Sequence, residues 1–174
     1  MLYSNAIKNI KRKYVGLVVY GVTVGIYGIL EASAVTSTGN LGVQITINEE
    51  CVVGSIINIT FPSTGVILAN VDAQGSFTVQ CTNGTDYTVG LDAGGGLGAT
   101  VAVRRMTLSG EHVNYSLYTT AGRTVVWGNT PPTDTVAGLG TGAAIPYVVY
   151  GRVPPQATPT PGTYTDTVLI SVVY

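Results

Sequence analysis

Charge is scarce in this sequence. Charged residues make up 10% of its 174 positions, against roughly 25% in an average soluble domain. Lys and Arg number 8 and Asp and Glu 9, for a net charge of −1. So small a basic complement excludes a nucleic-acid binder, because few phosphates can be neutralised. One His and two Cys are too few ligands for a closed structural zinc site. Disorder is excluded as well. Hydrophobic residues are 45% of the chain, whereas disordered chains are charged and poor in branched apolar side chains. The length suits one domain better than two.

Catalytic patterns are also missing. Glu111-His112 is the one acid–histidine neighbour pair, and neighbours on a strand point to opposite faces. No Gly-x-Ser-x-Gly elbow precedes a helix. Gly94-Gly95-Gly96-Leu97-Gly98 is followed by the strand-like Ala99–Val103, not by the helix or Gly-Lys-Ser/Thr ending of a phosphate cradle. Carboxylates are scattered singly, so neither a hydrolase dyad nor a calcium loop is supported. The reading is therefore a non-enzyme with no metal, no cofactor and no small-molecule substrate.

What charge there is lies unevenly. Lys8, Lys11, Arg12 and Lys13 precede an apolar run from Tyr14 to Leu30, and Ala32-Ser33-Ala34 follows. That order reads as a secretory signal peptide over residues 1–34, cut after Ala34. The competing reading is a membrane anchor, for which the Gly-rich run is short of the ~20 residues a span needs. Removing the four leader bases and Glu31 leaves 4 basic and 8 acidic residues, net −4, with no lysine at all. In an oxidising compartment an even pair, Cys51 and Cys81, suggests one disulfide. Two buried free thiols remain the alternative.

Past Ala34 the hydrophobic period is two. Leu41, Val43, Ile45 and Ile47 alternate with polar or small residues, as do Ile57, Ile59 and Phe61, then Phe77, Val79 and Cys81. The same holds for Tyr87, Val89 and Leu91, for Val113, Tyr115 and Leu117, and for Tyr164, Val168, Ile170, Val172 and Tyr174. Thr, Val, Ile and Tyr suit a pleated, half-buried surface. Asn83-Gly84, Ser109-Gly110, Ala121-Gly122 and Pro161-Gly162 punctuate the runs. Short strands with regular turns point to an antiparallel β-sandwich. Residues 94–98 read as a flexible loop, and residues 128–146 resist assignment.

Both ends are unusual. The last strand runs to Tyr174 without a polar tail, which is expected to leave a core-lined groove between two unpaired edges if a seventh strand is missing. Residues 41–47 form the complementary oddity, since an apolar strand on a loose extension can complete a neighbour by strand addition. Burying its four anchors would contribute on the order of 6–12 kcal/mol gross at ~1.5–3 each, much of it offset by ordering the extension. Head-to-tail insertion need not close and yields a filament. The pattern alone equally allows residues 41–48 to be the first strand of a complete domain.

Several motifs carry a resemblance. Pro161-Gly162-Thr163-Tyr164-Thr165-Asp166-Thr167-Val168 leads to the terminal aromatic Tyr174, and Val149-Tyr150-Gly151-Arg152-Val153-Pro154 comes shortly before. Cys51-Val52-Val53, Phe77-Thr78-Val79-Gln80-Cys81-Thr82, Arg105-Met106, Tyr115-Ser116-Leu117-Tyr118 and Trp127-Gly128 complete the set. In order and spacing the chain resembles the spore coat protein U domain family, which includes archaic (Csu-type) chaperone–usher pilus subunits. The resemblance implies an all-β, incomplete immunoglobulin-like sandwich over residues 49–174 that lacks its last strand. It implies a donor-strand extension over residues 35–48, anchored by Leu41, Val43, Ile45 and Ile47, and an acceptor strand carrying Val168, Ile170, Val172 and Tyr174. Cys51 and Cys81 match the family's disulfide positions. Implied partners are pilin subunits head to tail, a periplasmic chaperone and an outer-membrane usher, on a route to the cell surface that supports adhesion and biofilm formation. A spore-coat or envelope role on the same fold is a close alternative. A secreted carbohydrate-binding sandwich is the reading from another class, and its only aromatic candidate is Trp127 with Tyr118.

Overall fold

The computed structural model describes residues 34–174. The basic cluster and apolar run expected to form a leader lie outside the described residues, and Ala34 is exposed. The chain divides into two units, Met1–Val43 and Gln44–Tyr174, and the sandwich is the second. Every regular element among the described residues is a strand: β1 (Cys51–Ile57), β2 (Val71–Cys81), β3 (Asp86–Leu91), β4 (Arg104–Leu108), β5 (Glu111–Tyr118), β6 (Val136–Leu139), β7 (Ile145–Val153) and β8 (Ile170–Val173). They form two antiparallel sheets, ordered β1-β2-β7-β5-β4 and β6-β3-β8. This is the immunoglobulin-like all-β sandwich expected.

Alternation builds the core. Phe77, Val79 and Cys81 of β2, Tyr87, Val89 and Leu91 of β3, and Val113, Tyr115 and Leu117 of β5 are all buried, because residues two apart share a face. Ser109 and Gly110 both have positive φ, 48° and 90°, which matches the twist of a two-residue β4–β5 hairpin. Cys51 stands directly opposite Cys81 in the β1–β2 register, and the two form a disulfide. That bond closes a loop of separation 30, which contributes roughly 3–4 kcal/mol on the chain-entropy account.

Trp127 is 1% exposed. Its ring packs against Phe77 and Tyr147 at 5.8 and 6.1 Å, and its Nε1 donates to the Val89 carbonyl at 2.9 Å. A ring enclosed in this way cannot stack on a sugar, which corrects the aromatic candidate of the carbohydrate-binding reading.

Three local expectations are corrected, and one unassigned segment is resolved. Residues 41–48 carry no strand, because a strand needs a laddered neighbour and none is present among the described residues. Ala99–Val103 is not strand either. It turns twice, through Ala99 N–H to Gly96 C=O and Thr100 N–H to Val103 C=O. The Gly94–Gly98 loop packs closely, with Gly94 against Asp166 and Gly96 against Arg105. Residues 128–146 are not structureless: Gly128 N–H donates to Asp134 C=O, and β6 pairs with β3. Its sequence Val-Ala-Gly-Leu is too short and small to announce a strand.

Candidate functional site: an open groove between two unpaired walls

Two segments should continue the sheets, but among the described residues they pair with nothing along one side. The first follows β1. A register shift between Gly54 and Ile57, with Ser55 at φ 48°, turns the chain away from β2, and residues 58–66 belong to no ladder. Ile59 and Phe61 nevertheless face inward, half-buried. They lie over Gly151 of β7, where an added Cβ would come within 2.9 Å of the Phe61 ring. The second segment precedes β8. Residues 158–169 contain a single bridge, Thr165 to Thr107 of β4.

Between these walls lies a groove of about 1130 Å³. Phe77, Leu91, Val113, Leu117, Val149 and Val153 form its floor; Ile57, Ile59 and Phe61 stand on one side and Tyr164, Val168 and Ile170 on the other. The walls meet at Ile67. Its amide donates to Thr158 Oγ1 at 2.8 Å, and its carbonyl accepts from the Gln156 amide at 3.2 Å. Gln156 also extends the sheet with its side chain. Its Oε1 accepts from the Asn114 amide and its Nε2 donates to the Asn114 carbonyl, both at 2.9 Å, in the place a β7 residue would occupy.

The second wall has a definite polarity. Thr165 spends its N–H and C=O on Thr107, at 3.2 and 2.9 Å. Leu169 donates to Asp92 Oδ1 at 2.8 Å and accepts from the Asp92 amide at 3.1 Å. Backbone groups alternate sides along a strand, so those of Tyr164, Asp166 and Val168 face the groove, and they have no partner among the described residues. The cavity therefore offers apolar side-chain pockets and free strand hydrogen bonds together, the requirements of an incoming β-strand.

The expected site residues separate into groups. Val168 and Ile170 line the groove. Val172 packs against the core beyond it, and Tyr174 is exposed. Ile45 and Ile47 line no part of it. Leu41 and Val43 belong to the other unit, and all four anchors are between 74% and 90% exposed. Glu111 and His112 do not cooperate. Glu111 instead accepts from the Thr160 amide and hydroxyl and the Tyr164 hydroxyl, and these bonds hold its carboxyl below the usual range.

Sequence reasoning missed Asp166, Tyr115 and the wall at 56–67 as parts of one site. Tyr115 donates to Asp166 Oδ2 at 2.7 Å. Burial, then that carboxylate, push its hydroxyl well above the ordinary tyrosine value. Only the inward alternation of Ile57, Ile59 and Phe61 gave a signal for the first wall; nothing local marked the polar pair.

The Spore Coat Protein U domain matches residues 37–171, a family of structural, non-enzymatic subunits. Protein U of Myxococcus xanthus is 34% identical over 158 residues, covering 82% of this chain and 88% of that protein. Among solved structures, a chain of the CsuC–CsuE chaperone-tip adhesion subunit pre-assembly complex, from the archaic chaperone-usher Csu pili of Acinetobacter baumannii, superposes with a TM-score of 0.55 at 20% identity. The match covers 74% of this chain and 40% of that one, and it is a likeness of fold.

Proposed function

We propose that this chain, which belongs to the Spore Coat Protein U domain family, is a structural subunit of a chaperone–usher surface pilus that polymerises by donor-strand exchange. Residues 1–34 act as the export signal, 35–48 as the donor strand and 49–174 as the acceptor domain. The observation that carries this reading is the core-lined groove between two unpaired walls, in a chain whose own segment 41–47 presents four exposed apolar side chains at strand spacing. An immunoglobulin-like sandwich short of one strand is completed by such a segment from a second copy. Leu41, Val43, Ile45 and Ile47 enter the groove, and their backbone pairs with the free groups of Tyr164, Asp166 and Val168. Before assembly a periplasmic chaperone lends the strand; at the outer-membrane usher the next subunit replaces it. The product is an extracellular fibre supporting adhesion and biofilm formation. The fold likeness to a chain from a chaperone–subunit complex supports this setting.

The family description favours a second setting, a coat or envelope layer in which the same strand exchange joins subunits. Deleting residues 35–48 tests the shared mechanism. The expected product folds and binds donor peptide but forms no multimer ladder, and an unchanged ladder excludes strand exchange. Sheared cell-surface filaments, as opposed to an extracted coat layer, separate the two settings.

A further inference from the structure

A strand edge beside an empty apolar cavity has two ways to fail. It can collapse inward to remove its side chains from water, or it can fray into solvent. The wall at 158–169 does neither, although Tyr164, Val168 and Ile170 border the groove. It is held by side-chain hydrogen bonds from neighbouring segments. Glu111 Oε2 accepts from the Thr160 amide at 2.8 Å and from the Tyr164 hydroxyl at 3.0 Å. Further along, Asp166 Oδ1 accepts from the amides of Gly95 and Thr167, both at 2.8 Å, and Oδ2 accepts from the Tyr115 hydroxyl.

These bonds consume none of the backbone groups that face the groove. Asp166 lines the cavity, yet three hydrogen bonds already engage its two oxygens, so it presents a weakened competing acceptor to an arriving strand. Tyr115 is fixed in the core at 5% exposure. Gly94, at φ +76°, packs so closely on the Asp166 carboxylate that a Cβ has no room. The glycine-rich loop thus acts as the cradle of one side chain.

We propose that Asp166, with Glu111 as its second tether, is a positioning residue that keeps the acceptor edge extended and open before any donor strand arrives. The inference rests on the donor-strand reading and assigns to two carboxylates the preorganisation that reading requires. A wall that is correctly placed only part of the time lowers the apparent association in proportion to that fraction. The effect therefore falls on strand uptake, not on release of a strand already paired.

The test uses the exported chain (residues 35–174) and a fluorescent peptide of residues 35–48, followed by stopped flow, with urea unfolding in parallel. Asp166→Ala is expected to slow peptide uptake about tenfold with the dissociation rate unchanged. Asp166→Asn, which keeps an oxygen for the Gly95 and Thr167 amides, restores most of the rate. Glu111→Gln gives a smaller slowing. Equal uptake by wild type and Asp166→Ala overturns the positioning role alone; no uptake by wild type overturns strand exchange and this inference with it. If Asp166→Ala does not fold, amide exchange in the wild type decides. Protection of Gly95, Thr165 and Thr167 in the peptide-free protein supports the tether, and free exchange at Gly95 and Thr167 beside protected β4 and β5 overturns it.

Discussion

Arg104 is fully buried at 0% exposure, with no carboxylate at ion-pair distance among the described residues. Its guanidinium is held by carbonyls instead: those of Asp92, Val101, Leu91 and Trp127, at 2.7 to 2.9 Å. Burial pulls its pKa below the ordinary value, yet the group stays protonated at neutral pH. It ties the start of β4 to the end of β3 and to the Trp127 segment. Arg104→Met removes the guanidinium donors from two buried and two half-buried carbonyls and is expected to cost more than about 3 kcal/mol in urea unfolding. Titration acts at this scale too. Hydrogen bonds from Arg152 hold the Asp72 carboxyl below its ordinary 3.8, and those from Thr160 and Tyr164 hold Glu111 below 4.5. Their stabilisation is present above the ordinary carboxylate values and is lost as pH falls through the depressed folded values. Both groups are exposed, so salt should weaken that acid step. Burial first, and then hydrogen bonding, raise Tyr115 and Tyr147 above their ordinary 10.0. Their contribution is complete below pH 10 and falls above it. Urea midpoints across pH with and without salt check both limbs: an acid loss that salt diminishes and an alkaline loss that it does not. Nothing in the local sequence marks Arg104 as a core residue. Its burial depends on carbonyls that the 91–92, 101 and 127 segments bring together from a distance.

At the scale of elements, a strand's legibility depended on whether it has partners. β2, β3 and β5 follow the alternation of their apolar residues closely, because each is paired on both sides or seals the core. Residues 58–61 and 163–169 keep the alternation, with Ile59, Phe61, Tyr164 and Val168 turned inward, but they form no continuous ladder. Residues 41–47 have the same period and remain exposed without one. Periodicity reports which side chains face inward; hydrogen bonding requires a neighbour, and no laddered one lies beside these segments among the described residues. The β1 wall is braced by the Cys51–Cys81 bond. Reducing that bond is expected to lower stability by roughly 3–4 kcal/mol and to weaken peptide uptake, because β1 leads directly into the wall at 57–61. Urea unfolding and peptide binding under reducing and oxidising conditions check both effects.

For the whole molecule, the groove makes the isolated subunit an unfinished core, with Phe77, Leu91, Val113 and Leu117 at the floor of an open cavity. The free subunit is expected to bind a hydrophobic dye and to lose that signal when the 35–48 peptide occupies the groove. A peptide that binds only the native state adds about 2.7 kcal/mol of stability at a hundredfold excess over its dissociation constant, which a peptide titration of the melting temperature measures. An Ile45→Asp peptide should give neither effect, since it places a charge in an apolar pocket. The sequence by itself determined the all-β class, the inward residues of β2, β3, β5 and β8, and the strand-spaced apolar residues of 41–47. These are local properties, carried by a period of two and by residue chemistry, so they need no knowledge of neighbours. Only the tertiary structure decided that Trp127 is core, that the glycine-rich loop cradles Asp166, that Arg104 is buried on carbonyls, and that the walls at 57–67 and 158–170 face each other across one groove. Those facts depend on segments up to about a hundred positions apart being brought together. The physical reason is that a missing neighbour leaves no mark on the strand that lacks it: an unpaired edge and a paired one are written with the same alternating residues.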